Sequence, residues 1–157
     1  MIPSLLDVFV PNGIKIGKVN EAECNVVVDL VKTLVFGDST TTSPPPSNHA
    51  NHHNTRSIGV ISLMGEDQTK LIRRKLLDAI GPEKYALHSM LIGDPPTFQG
   101  AERDVILITM VCSPGRVPSQ SQLMHAQRAN VAMSRARDKM VLVRSVKSSH
   151  VSSIQDV

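Results

Sequence analysis

Apolar residues recur along the chain at two spacings, and these divide it into helices and strands. Between Asn20 and Val35 the residues Val27, Leu30, Val31 and Leu34 fall on one face of a helix. Asn20 is a suitable N-cap, and Glu21 and Glu23 suit the positive amino end that follows. A second helical stripe (Leu71, Ile72, Leu76, Ala79, Ile80) begins after Gly65-Glu66-Asp67 and is stopped by Gly81-Pro82. Residues 58–63, 86–92 and 140–143 read as strands. So do residues 105–111, apolar throughout as a central parallel strand should be. A further helix is predicted from about His125 to Ala136. Strand, helix, strand, strand, helix, strand predicts a three-layer α/β fold with a mostly parallel sheet. In such folds ligands gather at the carboxyl ends of the strands.

Two stretches break the pattern. From Gly37 to Asn54 the chain is built of Thr, Ser, Pro, Asn and His, with Pro44, Pro45 and Pro46 consecutive. So few apolar residues cannot offset the entropy of ordering, which predicts a flexible surface insertion at about 37–55. Residues 113–122 (Ser-Pro-Gly-Arg-Val-Pro-Ser-Gln-Ser-Gln) predict a shorter loop. Residues 1–17 are expected to be an amino-terminal remnant, residues 18–145 the folded domain and residues 146–157 a tail.

Composition narrows the class. A chain of 157 residues, 41% of them apolar, has the size and content for one core. No apolar run approaches the ~18 residues needed to span a bilayer, so no membrane association is expected. The opening Met1-Ile2-Pro3-Ser4-Leu5-Leu6-Asp7 has no basic leader, which argues against a signal peptide. Cys24 and Cys112 lie far apart and make neither a disulfide framework nor a zinc site. An intracellular location, nucleus or cytoplasm, is the expectation. A net charge of +3 permits nucleic-acid binding, while 3% aromatic residues exclude a grip that relies on base stacking.

Two segments carry chemistry. In Thr97-Phe98-Gln99-Gly100-Ala101-Glu102-Arg103-Asp104, Gly100 lets a backbone N–H approach a ligand, Glu102 offers a carboxylate to a sugar hydroxyl, and Thr97 can donate to a phosphate. The same residues also read as a polar loop with a turn glycine. In the second segment, residues 127–137, a period of ~100° puts Ala126, Ala129, Ala132, Met133 and Ala136 on one face. Arg128 and Arg135 flank that face on one side and Arg137 on the other. An arginine at the margin of a packed face is a fixed, always-protonated fork, suited to charge developing on phosphoryl oxygens. A solvated basic face is the other reading of these residues.

Together, Phe-Gln-Gly-x-Glu-x-Asp before an apolar strand and Asn-Val-Ala-Met-Ser-Arg-Ala-Arg before a final strand resemble motifs V and VI of superfamily 1 helicases. The branch they most resemble contains the nonsense-mediated-decay RNA helicases and related nuclease-linked DNA helicases. Ile58-Gly59-Val60-Ile61-Ser62 is similar to the strand of motif IV, and Asn20-Glu21-Ala22-Glu23 to the start of the helix before it. The resemblance implies a second RecA-like domain, which closes over ATP and Mg2+ bound mainly by a first. It implies Arg135 as arginine finger, Gly100 beside the γ-phosphate, Glu102 on the ribose and Arg128 as a supporting cation. Gln99 would link the nucleotide cleft to the nucleic-acid groove. Ser62 and Thr97 would touch the sugar-phosphate backbone of single-stranded DNA or RNA.

The chain also departs from the family. Asp94-Pro95-Pro96 replaces an apolar-acidic pair, and Ser62-Leu63-Met64 replaces Thr-Pro-Tyr, removing an aromatic. Among the 157 residues there is no Gly-x4-Gly-Lys-[Ser/Thr] run; the nearest, residues 13–19, is one residue short and has Val19 in place of the hydroxyl. No strand ends in a magnesium-binding acidic pair, and no Gln-x-Arg motif precedes Lys18. The expectation is therefore a helicase motor domain that does not hydrolyse ATP alone and needs the first RecA-like domain. The alternatives are a non-catalytic nucleic-acid or protein binding module derived from a truncated helicase, or an unrelated α/β domain. No metal site is expected: His49, His52 and His53 lack Cys or carboxylate neighbours. Lys70, Arg73, Arg74 and Lys75 form a basic run, either a solvated face or a source of phosphate contacts.

Overall fold

The computed structural model describes residues 4–37, 55–64, 66–111, 130 and 132–145. Five strands form one parallel sheet in the order β1-β7-β6-β4-β5, comprising β1 (Ser4–Phe9), β4 (Ile58–Ser62), β5 (Leu91–Gly93), β6 (Arg103–Thr109) and β7 (Ala136–Arg144). A small antiparallel hairpin, β2 (Lys15–Ile16) and β3 (Val19–Asn20), precedes helix α1 (Glu21–Phe36). Helix α2 (Glu66–Leu87) joins β4 to β5. The fold is the expected α/β architecture, a RecA-like parallel sheet between layers.

Alternation along the strands builds two cores. Ile58, Val60, Val105, Leu107, Val141 and Val143 pack beneath α1 and α2 with Val27, Val31, Ile72 and Leu76. On the opposite face Ile61, Ile106, Ile108 and Met140 meet Phe98, Ala132 and Ala136. Strands buried on both sides explain the unbroken apolar run of β6. Lys75 Nζ, within 3.0 Å of Asn25 Oδ1 and 3.5 Å of Glu21 Oε1, holds α2 against α1.

Three elements differ from the sequence expectations. Residues 4–9 lie in the segment read as a remnant, yet they form an edge strand in register with residues 139–144 of β7. The Asp7 carboxylate accepts from Arg144 Nε at 2.8 Å and Nη2 at 2.9 Å, a two-toothed bond that ties this edge to the sheet. Gly81 leaves helical geometry (φ 81°) as Gly81-Pro82 predicted, but Pro82 then opens another helical stretch that runs to Leu87. The strand read at 86–92 therefore shrinks to Leu91–Gly93. The helix read at 125–136 falls mostly outside the described residues. Residues 130, 132 and 133 are helical, and β7 already starts at Ala136. The expected insertion at 37–55 lies outside the described residues except at its ends, as do the 113–122 loop and the 146–157 tail.

Candidate functional site

Glu102 and Arg135 each stand one residue before a strand, β6 and β7 respectively, and these strands are neighbours. Arg103 N–H donates to the Arg135 carbonyl at 3.1 Å, and Arg103 pairs with Ala136 in the ladder. The two chemical segments, 30 residues apart in sequence, thus meet at the amino ends of the sheet. Arg135 is half-buried, and its Nε is sealed from solvent without a hydrogen-bond partner among the described residues. Glu102 is exposed, and among the described residues its carboxylate takes no ion pair. Gly100 adopts φ +73°, a left-handed conformation that favours glycine, with open space where a Cβ would stand. A buried donor lacking an acceptor, a free carboxylate and an open glycine turn are the features a phosphate-bearing sugar ligand requires.

The rim around them is firm. Asp104 accepts from Ser57 N–H at 2.9 Å, and its own N–H donates to Ser57 Oγ at 2.9 Å. Arg137 Nε stands 3.4 Å from Asp104, and Arg56 pairs with Asp138 at 3.1 Å. Arg103 donates to the carbonyls of Ser89 and Glu102, both at 2.8 Å. The neighbouring arginines each have a partner, whereas Arg135 Nε has none among the described residues.

The segment leading to this rim starts at the other end of the sheet. Asp94 caps a 3-10 turn (Pro95–Phe98), its carboxylate accepting from Thr97 N–H at 3.1 Å and Thr97 Oγ1 at 2.6 Å. A Cβ on Gly93 would come within 2.7 Å of Thr97, and one on Gly59 within 2.7 Å of the Phe98 ring. Gly93 ends β5 and Gly59 lies near the start of β4, on the same face of the sheet. Two missing side chains therefore cut a channel that carries the chain from carboxyl to amino ends, with Phe98 fully buried in it. Gln99, exposed, follows directly.

Ser62 does not fit the place expected for it. It is fully buried at the end of β4, and its hydroxyl donates to the Met64 carbonyl at 3.1 Å. Thr97 is exposed at the same end of the sheet. The structure thus brings Gly100, Glu102 and Arg135 to one end of the sheet and Ser62 and Thr97 to the other. Arg128, Cys112 and the His49, His52, His53 cluster lie outside the described residues. Among the described residues no group of three or more His, Cys, Asp or Glu side chains is placed to hold a metal. Nor is any described helix long and apolar enough to cross a membrane.

One polar cluster was missed in the sequence. Glu23, fully buried, accepts five hydrogen bonds: from Asn20 Nδ2 (2.7 Å), Thr109 Oγ1 (3.0 Å), Ser145 Oγ (3.1 Å), and the N–H groups of Met110 (3.1 Å) and Val111 (3.2 Å). Burial pushes its pKa above the ordinary value, outweighing the donors that pull it down. Gln68 adds bonds to both backbone groups of Asn20, at 2.9 and 3.1 Å. The cluster ties the starts of both helices to the carboxyl ends of β6 and β7. The signal was present: Asn20 and Glu23 have the spacing of a capping box, read only as a favourable charge near a helix end.

A family model described as an AAA domain matches residues 12–147, from the turn before β2 to beyond β7. No curated protein matches the chain. The match spans every element that carries the rim and the Thr97–Glu102 segment, and the chain belongs to the AAA domain family, as a helicase-like, nucleotide-binding domain of the superfamily 1 type.

Proposed function

We propose that residues 18–145 are the second RecA-like motor domain of an ATP-dependent nucleic-acid helicase. In this reading Gly100, Glu102 and Arg135 form one wall of an ATP cleft, and Arg128 supports them. The opposite wall, with the P-loop and the acidic residues that hold Mg2+, belongs to another RecA-like domain. Bound ATP supplies the γ-phosphoryl group, whose oxygens carry the charge of the transition state. Arg135 donates to those oxygens with a guanidinium that cannot lose its proton. Glu102 accepts from ribose hydroxyls, and the open turn at Gly100 presents a backbone N–H to phosphate. Gln99 and Phe98 connect the cleft to Thr97, which faces a single strand at the other end of the sheet. An intracellular setting in the branch of the decay-type RNA and nuclease-linked DNA helicases completes the reading.

The observation that carries it is the buried Nε of Arg135, without a hydrogen-bond partner among the described residues, at the start of a strand paired with the one that follows Glu102. The test is nucleic-acid-stimulated ATP turnover in a protein that joins these residues to a P-loop-bearing domain. Arg135→Ala should lower turnover about 10³-fold or more, with ATP still bound. Turnover equal to that of the unaltered protein would remove the finger role.

A further inference from the structure

With Ser62 buried and its hydroxyl committed to Met64, a second contact for a strand at the carboxyl end must come from elsewhere. Beside Thr97 a cleft of about 280 Å3 opens between α2 and the Asp94 turn, lined by Glu66, Thr69, Lys70, Arg73, Gly93 and Thr97. A second hollow of about 320 Å3 is lined by Lys70, Arg73, Arg74, Leu77 and Asp78. Lys70 and Arg73 belong to both, so one trough runs along the outer face of α2 from Thr97 to Leu77.

The three cations in it are not equivalent. Arg73 is committed to the fold, Nη2 donating to the Ile92 carbonyl on edge strand β5 at 2.9 Å. Lys70 meets Glu66 at 3.8 Å with both side chains largely exposed, a contact worth almost nothing in water. Arg74 is exposed and forms no ion pair among the described residues. Three carboxylates also line it: Glu66 and Asp94 at the Thr97 end, Asp94 accepting from two donors of Thr97, and Asp78 at the far end. Two uncommitted cations therefore stand one helical turn apart, about 6 Å along the axis, in a trough that starts at the exposed threonine. A chain with 3% aromatic residues must hold a single strand through its phosphates.

We propose that this trough continues the single-strand path past Thr97, with Lys70 and Arg74 each taking one backbone phosphate and Leu77 lying under a sugar. The proposal rests on the helicase reading and adds a binding surface to it. Because phosphates and not bases are held, DNA and RNA strands are gripped alike there.

The test is binding of fluorescent 20-residue oligo-dT and oligo-U, followed by anisotropy against NaCl concentration. Lys70→Ala/Arg74→Ala should reduce the slope of log affinity against log salt by about 1.4, at ~0.7 per phosphate released. Affinity at low salt should fall about tenfold for both probes. Lys32→Ala/Lys84→Ala removes the same charge from other exposed helix positions and should change affinity less than threefold. Lys70→Gln/Arg74→Gln is the second variant, read beside far-UV circular dichroism to establish that loss of binding is not loss of fold. Equal losses in the trough and control variants, or an unchanged slope in the trough variant, overturn the proposal. If Thr97→Ala weakens binding while the trough variants do not, the helicase reading stands and the trough falls. If the unaltered chain binds neither oligonucleotide at low salt, both fall.

Discussion

The N–H of Arg103 and the carbonyl of Arg135 are 3.1 Å apart, the first rung joining β6 to β7. That rung sets Glu102 and Arg135 side by side, whatever the intervening chain does. It also explains why an unsatisfied guanidinium nitrogen is tolerated: backbone pairing, not its own contacts, holds Arg135.

A buried N–H with no acceptor costs about 1–3 kcal/mol, so the Arg135 Nε, which has none among the described residues, subtracts from stability. Arg135→Met, similar in length and apolar, should leave urea unfolding unchanged or raise the stability by up to ~1 kcal/mol. A loss of 2 kcal/mol or more would show that the arginine is a structural residue.

Gly59 is required by its neighbours. A Cβ there would come within 2.7 Å of Ile106 Cδ1 and of Phe98 Cε1, both in packed core. Gly59→Ala should destabilise the domain by about 1–3 kcal/mol, the usual cost of overfilling a core. Gly100→Ala meets open space and only left-handed strain, about 1–2 kcal/mol. Chemical denaturation of the two variants, with amide exchange at Gln99, checks both. Exchange should quicken in Gly59→Ala as the Phe98 ring is displaced.

Glu23→Gln tests the buried cluster. The new amide nitrogen takes the place of an oxygen that accepts from Asn20 Nδ2 at 2.7 Å. Asn20 cannot turn round without losing the bond from Glu23 N–H to its Oδ1. Two donors are left face to face, and stability should fall by about 1–3 kcal/mol. Burial holds the folded-state pKa of Glu23 above its ordinary value of 4.5. Its contribution is thus full below the unfolded value and declines as pH rises through the folded one. The gap between wild type and variant should narrow from pH 4 to pH 8, and a gap that widens would reverse the sign assigned here.

Cys24 is fully buried, and burial pushes its pKa up to about 12. In a Cys112→Ser background, alkylation at pH 8 should be at least about 10³-fold slower than for a free thiol, whose pKa is near 8.5. Urea should restore the rate. Rapid labelling of the native protein would contradict the packing of α1.

Much of this architecture could be read from residue order, because the periodicities were strong. Val27, Val31, Ile72 and Leu76 lie beneath their helices as spacing requires, and β6 is the central strand its apolar run predicted. The misreadings have local causes. Ser4–Phe9 shows no alternation, since an edge strand paired on one side leaves Leu5 and Leu6 exposed. Ala86 and Leu87, read as the start of a strand, instead end the helical stretch that Pro82 opens. Motif spacing singled out Gly100, Glu102 and Arg135 as candidates, but not their meeting at the amino ends, which depends on β6 and β7 pairing over distance. The burial of Ser62 was equally out of reach, since a strand-terminal serine faces inward or outward according to the turn that follows.

The Phe98 ring is wedged in the notch that Gly59 leaves, and it anchors a very short stretch of chain. Thr97 and Gly100 lie on either side of that ring, one and two residues from it along the chain. A side chain added at residue 59 would push on the ring itself, and so on the backbone to both sides of it.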